Sequence, residues 1–281
     1  MAEILTSDDV AGVRKPLTQA HWLPAHAYTN PAIWPQELQR VLHREWLVVC
    51  RYDQVASPGE FICKEIAGTR VLVVRGADGV IRAFHNVCRH RGMWVAQGRG
   101  QARNFICPYH SWTYDLEGNL SAAPEMSRTA DFDYAEFGLN PIRCEQWLGF
   151  VAINLDGKAA PFGTDLDDLA QMIAPWHLSE MVTANERVYE TTWDWKLMWE
   201  NAIEGYTLRI CIEPVLATVS PHRSPGLAKT SMAAPGRIFI VHLPEGCRAP
   251  CRTNRPRLKI CRRSRTKSWC FFMCGRVLAF T

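Results

Sequence analysis

Between residues 88 and 112 the sequence reads CRHRGMWVAQGRGQARNFICPYHSW, with two cysteines and two histidines arranged as two mixed pairs. Cys88 and His90 enclose one residue, Cys107 and His110 enclose two, and sixteen residues separate the pairs. A thiolate and an imidazole at each end of one loop point to a metal site. Three readings compete. Cysteines and histidines in a strand-rich chain are often plain core or surface material, but two close mixed pairs are hard to obtain that way. Structural zinc draws on paired cysteines with paired histidines, or on four cysteines, whereas here each pair is mixed, as C-x-H and C-x2-H. That mixture suits a [2Fe–2S] cluster in which two histidines replace two cysteines on one iron.

Such a cluster needs two loops approaching from opposite sides, each offering one thiolate and one imidazole. Cys88 and Cys107 would hold the inner iron, His90 and His110 the outer. Neutral imidazoles make the cluster less negative than four thiolates do, which raises its potential and couples reduction to protonation at the histidines. Gly92 lets the first loop turn close to the cluster, and Pro108 stiffens the second.

The elements that must position these loops read as short strands. Candidates lie at 46–50, 60–66, 70–75 and 81–86, separated by the turns Ser57-Pro58-Gly59 and Ala77-Asp78-Gly79. WTYDLEGNLSA reads as a hairpin around Glu117-Gly118-Asn119, and WLGFVAINL (147–155) as a buried strand. The pattern predicts a small antiparallel sandwich or barrel over 45–155. Ahead of it, PQELQRVLHREW (35–46) opens with a proline suited to a first helical turn. Beyond it, 165–176 reads as a short helix, 184–195 as a strand, and WKLMWENAIEGY (195–206) as a helix with Trp195, Trp199, Ala202 and Tyr206 at helical spacing. The fold class is α+β, and no internal repeat is visible.

C-R-H-R-G followed by C-P-Y-H-x-W-x-Y-D-x-x-G resembles the signature of the Rieske non-haem iron oxygenases. Trp112, Tyr114, Asp115 and Gly118 match the hairpin after the second pair. Met93 and Tyr109 stand where respiratory-chain Rieske proteins carry a further disulfide, which favours the oxygenase branch. The resemblance spans about residues 20–206 and implies the large (α) subunit: an all-β Rieske domain followed by an α+β catalytic domain, here incomplete. It also implies a mononuclear Fe(II) held by two histidines and a carboxylate, with open positions for dioxygen. Electrons would come from NAD(P)H through a reductase, sometimes with a ferredoxin, in a homotrimer or α3β3 assembly. The substrate would be a small aromatic or quaternary-amine compound, hydroxylated or dealkylated. The helix motif that opens the iron site in the family matches here at Asn201, Glu204 and Tyr206, and the resemblance makes Glu204 the electron bridge between subunits. Histidine should follow at 207 and 212, but Thr207 and Ile212 stand there, and the third ligand would lie beyond Thr281. His222 and His242 stand away from the helix motif and read as incidental. The alternative is an electron-transfer module that keeps only the cluster, for which residues 156–206 would be superfluous.

A break coincides with the lost motif. Over residues 1–206 the charge balance is −8; over 207–281 there are 14 basic and 2 acidic residues, and six of the eleven cysteines fall there. Arg/Lys-rich tails bind nucleic acid or anionic membranes, but a shifted reading frame accounts for charge, cysteines and motif together, so neither partner is expected. The tail from residue 247 onward shows neither helix nor strand periodicity. The domain division is then 1–44, an N-terminal segment with a short helix; 45–155, the cluster domain; 156–206, the start of a catalytic domain; and 207–281, a basic cysteine-rich tail. No run of eighteen apolar residues occurs, and the N-terminus is acidic where a signal peptide needs a basic start. A cytoplasmic location with reduced thiols is expected.

Overall fold

The computed structural model describes residues 5–16, 18–203, 237–241, 270–274 and 277–278. They fall into two compact units, the first drawn from residues 1–193 with 276–281 and the second from 194–275. The first unit holds ten strands from the N-terminal three-fifths of the chain: β1 (Trp46–Arg51), β2 (Glu60–Ile66), β3 (Thr69–Arg75), β4 (Ile81–His85), β5 (Arg99–Gln101), β6 (Phe105–Ile106), β7 (Thr113–Tyr114), β8 (Leu120–Ala122), β9 (Pro141–Trp147) and β10 (Phe150–Asn154). Seven of them make one antiparallel sheet in the order β1-β10-β9-β4-β3-β2-β5. The sheet curls far enough for β1 and β2 to meet. Strands β6, β7 and β8 form a separate small sheet.

Strand β3 carries much of the core. Val71, Leu72, Val73 and Val74 of β3 are all buried, so both faces of this strand are covered. On one face Leu72 and Val74, with Phe84 of β4, pack against Phe105, Tyr114 and Leu120 of the small sheet. Cys88 and Cys107 belong to this same apolar cluster. Tight hairpins hold the register: Trp147 pairs with Phe150 across Leu148 and Gly149, whose φ angles of +47° and +85° fit a primed turn that follows the sheet's twist.

Past β10 the chain folds back as a strap. Helix Asp167–Ile173 buries Leu169 and Ile173, and the following residues are clamped to the strands. The Arg51 guanidinium donates to the Leu178 and Met181 carbonyls at 2.6 and 2.7 Å, and the Tyr52 hydroxyl to the Ser179 carbonyl. Asp53 accepts from the Thr183 amide at 2.7 Å. Glu186 accepts from Lys64 at 2.6 Å and from Gln54 at 3.0 Å.

Several elements differ from expectation. The predicted strand at 184–195 is absent: residues 184–193 join no described strand ladder, and Val188 and Tyr189 are exposed. Alternating character favours a strand only where an edge is free to receive it, and here polar side chains of the cluster domain hold the segment instead. The expected helix over 35–46 is a short turn, Trp34–Glu37, continued by one π-helical turn, Leu38–Leu42. Strand β9 had no separate signal in the sequence. The helix expected over 195–206 is present as Trp195–Ile203, and its last three residues lie outside the described residues. The tail from residue 247, expected to lack strands, contains Cys270–Cys274, paired antiparallel with Arg237–Val241, and 277–278, paired with β1. Runs such as RIFIV and CFFMC are β-branched or aromatic, which favours extended pairing.

Candidate metal centre

The two Cys/His pairs sit on loops with the same backbone. In the first, between β4 and β5, the Cys88 amide donates to the Met93 carbonyl at 2.7 Å and the Gly92 amide returns to the Cys88 carbonyl at 3.0 Å. In the second, between β6 and β7, the Cys107 amide donates to the Trp112 carbonyl at 2.8 Å and the Ser111 amide returns to the Cys107 carbonyl at 3.0 Å. Each loop is therefore a six-residue arch closed by the same two hydrogen bonds. Each needs a left-handed residue at its fifth position: Gly92 has φ +75° and Ser111 φ +58°. Glycine adopts that region freely; serine does so at a cost of about 1 kcal/mol.

The arches bury the sulfurs and expose the rings. Cys88 and Cys107 are 3% and 2% exposed, and neither forms a disulfide. His90 and His110 are exposed, with ring centroids 4.7 Å apart. Burial pushes the Cys107 thiol up, with the adjoining Cys88 thiol acting in the same direction. The Tyr109 and His110 amides point at that sulfur and oppose the shift, since N–H donors favour the thiolate. Burial, then the charges of His110 and Arg91, lower His90 and favour the neutral imidazole that a metal requires.

Other side chains hold the arches in place. Tyr114, fully buried, accepts from the Arg89 amide at 2.9 Å, and its hydroxyl lies 3.3 Å from Cys88 Sγ. Burial, then the Cys88 contact, raises the phenol, so it stays protonated and able to donate to a thiolate. Asn86, 2% exposed, accepts from the Val95 and Ala96 amides at 3.1 Å each and donates to the Ala96 carbonyl at 2.8 Å. It staples the far side of the first arch. Asp115 accepts from the Glu117 and Asn119 amides at 3.0 and 2.8 Å and shapes the next hairpin. There Gly118, φ +89°, leaves no room for a side chain, because a Cβ would lie 2.4 Å from the Phe84 ring.

In a two-iron cluster each iron takes only two protein ligands and inorganic sulfide completes the rest. Two buried thiols from opposed arches, with two imidazoles at the rim, fit that donor set.

Residues 45–133 match the family model of the Rieske [2Fe–2S] domain. This segment is a Rieske [2Fe–2S] domain. Its cofactor is a [2Fe–2S] cluster. The chain is 35% identical over 191 residues to the carnitine monooxygenase oxygenase subunit of Escherichia coli strain K12, a match covering 67% of this chain and 51% of that protein. It is 35% identical over 186 residues to the glycine betaine monooxygenase oxygenase subunit of Pseudomonas aeruginosa strain PAO1, covering 66% and 43%. Among solved structures, a quaternary ammonium Rieske monooxygenase in complex with L-carnitine aligns with a TM-score of 0.69 at 29% identity, over 78% of this chain and 62% of that one. The chain spans about half the length of the curated relatives it matches.

The predicted catalytic residues fare differently from the predicted cluster ligands. Asn201 lies exposed on helix Trp195–Ile203 in the second unit. Glu204, Tyr206, Thr207, Ile212, His222 and His242 lie outside the described residues. Sequence reasoning overlooked Asn86 and the strap at 177–186. Asn86 stands two residues before Cys88, and buried polar residues flanking a ligand loop carry no periodic signal; the strap is held by scattered long-range polar contacts.

Proposed function

We propose that the chain is part of the large subunit of a Rieske oxygenase acting on a quaternary ammonium compound. One observation carries the reading: two arches of identical backbone that bury a thiol and expose an imidazole each, in a chain related to carnitine and betaine monooxygenase subunits. Cys88, His90, Cys107 and His110 hold the [2Fe–2S] cluster. When bound, the cluster would supply one-electron transfer between an NAD(P)H-dependent reductase, with or without a ferredoxin, and a mononuclear Fe(II) in a homotrimer or α3β3 assembly. Glu204 bridges subunits, and Asn201 belongs to the same sequence motif. The enzyme works in the cytoplasm.

The substrate class determines the chemistry. A quaternary ammonium group has a fixed charge and no N–H to offer, so aromatic faces recognise it. One oxygen atom of dioxygen enters a C–H bond beside the nitrogen and the other leaves as water, using two electrons and two protons. The hydroxylated carbon then breaks its C–N bond to give a carbonyl compound and a tertiary amine.

This chain itself holds the cluster but not the mononuclear iron, because Thr207 and Ile212 stand at the positions of two histidines and a hydroxyl is a poor ligand for Fe(II). A shifted reading frame after Tyr206 accounts for that loss. The bare electron-transfer reading is the weaker one, since the strap clamped by Arg51, Asp53 and Lys64 is superfluous to it. Iron and sulfide analysis, with EPR after dithionite reduction, tests the assignment: about two irons per chain and a rhombic signal are expected. Stoichiometric zinc would overturn the cluster. Turnover of carnitine, glycine betaine or choline by this chain with a reductase would overturn the missing iron site. Restoring the frame at codon 207 should give a protein that oxidises one of these, and activity on aromatic acids alone would overturn the substrate class.

A further inference from the structure

The two imidazoles at the rim have unequal supports. His110 stacks on Tyr109 with ring centroids 3.8 Å apart, and Tyr109 is 56% exposed. His90 lies flat on the indole of Trp112, centroids 4.9 Å apart and planes 11° apart. Trp112 is 2% exposed and is gripped edge-on by Phe132 and Phe137, each 5.7 Å away at 73° and 88°. Those two phenylalanines stack on one another at 4.7 Å. A continuous aromatic wall therefore runs from the segment after β8 to one face of His90, while His110 leans on a ring that solvent can move. Buried rings held edge-on and face-on at these distances are well fixed, and stacked or edge-to-face pairs add to plain burial.

We propose that Trp112 is a positioning residue for the cluster: its indole face fixes the ring plane of His90, keeps water from that face, and makes His90 the better-ordered of the two histidine ligands. The inference rests on the ligation proposed above. It goes beyond it by assigning unequal roles to the two histidines and a function to a residue that cannot bind metal. Outer contacts of this kind orient metal-bound histidines and set the properties of the metal. A buried indole with no ligand atom does so here through the shape of its face and the exclusion of water.

The test uses the full chain with its cluster loaded, reduced with dithionite and examined by pulsed EPR for the two histidine nitrogen couplings. In the native protein one coupling should be narrow and the other broad. Trp112→Leu keeps apolar volume but removes the platform, and should broaden the narrow coupling while leaving the broad one unchanged. Trp112→Phe retains a flat face and should restore most of the sharpness. Tyr109→Ala should alter only the other coupling, which assigns the two signals. The midpoint potential of Trp112→Leu should rise, because water admitted beside His90 stabilises the more negative reduced cluster. If Trp112→Leu loses the cluster, Phe137→Leu keeps the indole but loosens its grip and should broaden the same coupling. Unchanged couplings and potential in a cluster-loaded Trp112→Leu or Phe137→Leu chain, whatever their thermal stability, would overturn the proposal. Absence of a Rieske signal in the native chain would overturn the ligation itself, which is a separate failure.

Discussion

Replacing Tyr114 by phenylalanine removes one oxygen atom and leaves the ring, which is fully buried, in place. That oxygen has two partners, the Arg89 amide at 2.9 Å and Cys88 Sγ at 3.3 Å. The amide already points into the oxygen, so the phenol's own hydrogen is free to point at the sulfur. A sulfur that ligates iron becomes more negative when the cluster gains an electron. The donor therefore stabilises the reduced state more than the oxidised one, and its loss must lower the potential. A hydrogen bond to a charged partner is worth about 1.5–3 kcal/mol. Only part of that changes with one electron shared over a cluster, on the order of 1 kcal/mol. With 59 mV per tenfold for a one-electron couple, and 1.36 kcal/mol per tenfold, the drop is about 40 mV.

The assay is a redox titration followed by visible circular dichroism or EPR, at equal cluster occupancy. The Arg89 amide loses its acceptor as well, so a fall in stability of about 1 kcal/mol should accompany the change in potential. An unchanged potential at full occupancy would mean that the hydroxyl does not donate to Cys88. A rise would refute the direction of the electrostatic argument altogether.

Three further outcomes follow from other parts of the unit. Leu148 sits at φ +47° in the β9–β10 turn, and Leu148→Asn should stabilise the fold by about 0.5–1 kcal/mol, read as a higher Tm of the cluster domain. A lower Tm would mean that packing of the half-buried leucine outweighs the backbone cost. Burial pushes the thiols of Cys50 and Cys144 up to about 12. Both should resist iodoacetamide at pH 8 in the folded chain and react in denaturant, because so high a value leaves roughly a thousandfold less thiolate than an ordinary cysteine carries. Rapid labelling of either in the native state would refute the burial. Glu186 is held below the usual carboxylate range chiefly by its hydrogen bond from Lys64. Its contribution is complete above the ordinary glutamate value near 4.3 and fades as pH falls through its lower folded value. Half-exposed ion pairs are weak, so the contribution is below about 1 kcal/mol. Limited proteolysis should cut residues 177–193 faster at pH 3 than at pH 6, and equal rates would show that the pair does not hold the strap.

The cluster domain was legible because its signals are local. The proposed ligands lie within twenty-three residues, and β2, β3 and β4 each run between turn residues with buried apolar cores, so their bounds came within a residue of those observed. Strand β9 was not legible: PIRCEQW carries one strongly apolar position among charged and polar ones, and it is a strand because β10 and β4 flank it. The strap failed in the opposite sense. ANERVYETTW alternates as a strand would, yet Arg51 and Asp53 capture the backbone of Leu178, Met181 and Thr183 just ahead of it, and Lys64 captures its Glu186, all from 120 or more residues away in sequence. A pattern confined to the segment contains no record of those partners.

The likeness of the two arches explains a feature that spacing alone leaves arbitrary. C-x-H and C-x2-H look like different motifs, yet both cysteines close the same pair of hydrogen bonds, to the residue five positions on and from the residue four positions on. The arch therefore fixes the cysteine, and the histidine is free to occupy its third or fourth position. His90 takes the third and His110 the fourth. Two identical arches facing one another would set their imidazoles symmetrically, each on equivalent ground. The one-residue offset breaks that symmetry: His90 falls against buried Trp112 of the opposite arch, whereas His110 falls beside Tyr109 of its own, out in solvent. The unequal support of the two rings thus follows from one residue of spacing together with the sixth arch residue, buried Trp112 in one arch and exposed Met93 in the other, both visible in the sequence but interpretable only once the arches are seen to be the same.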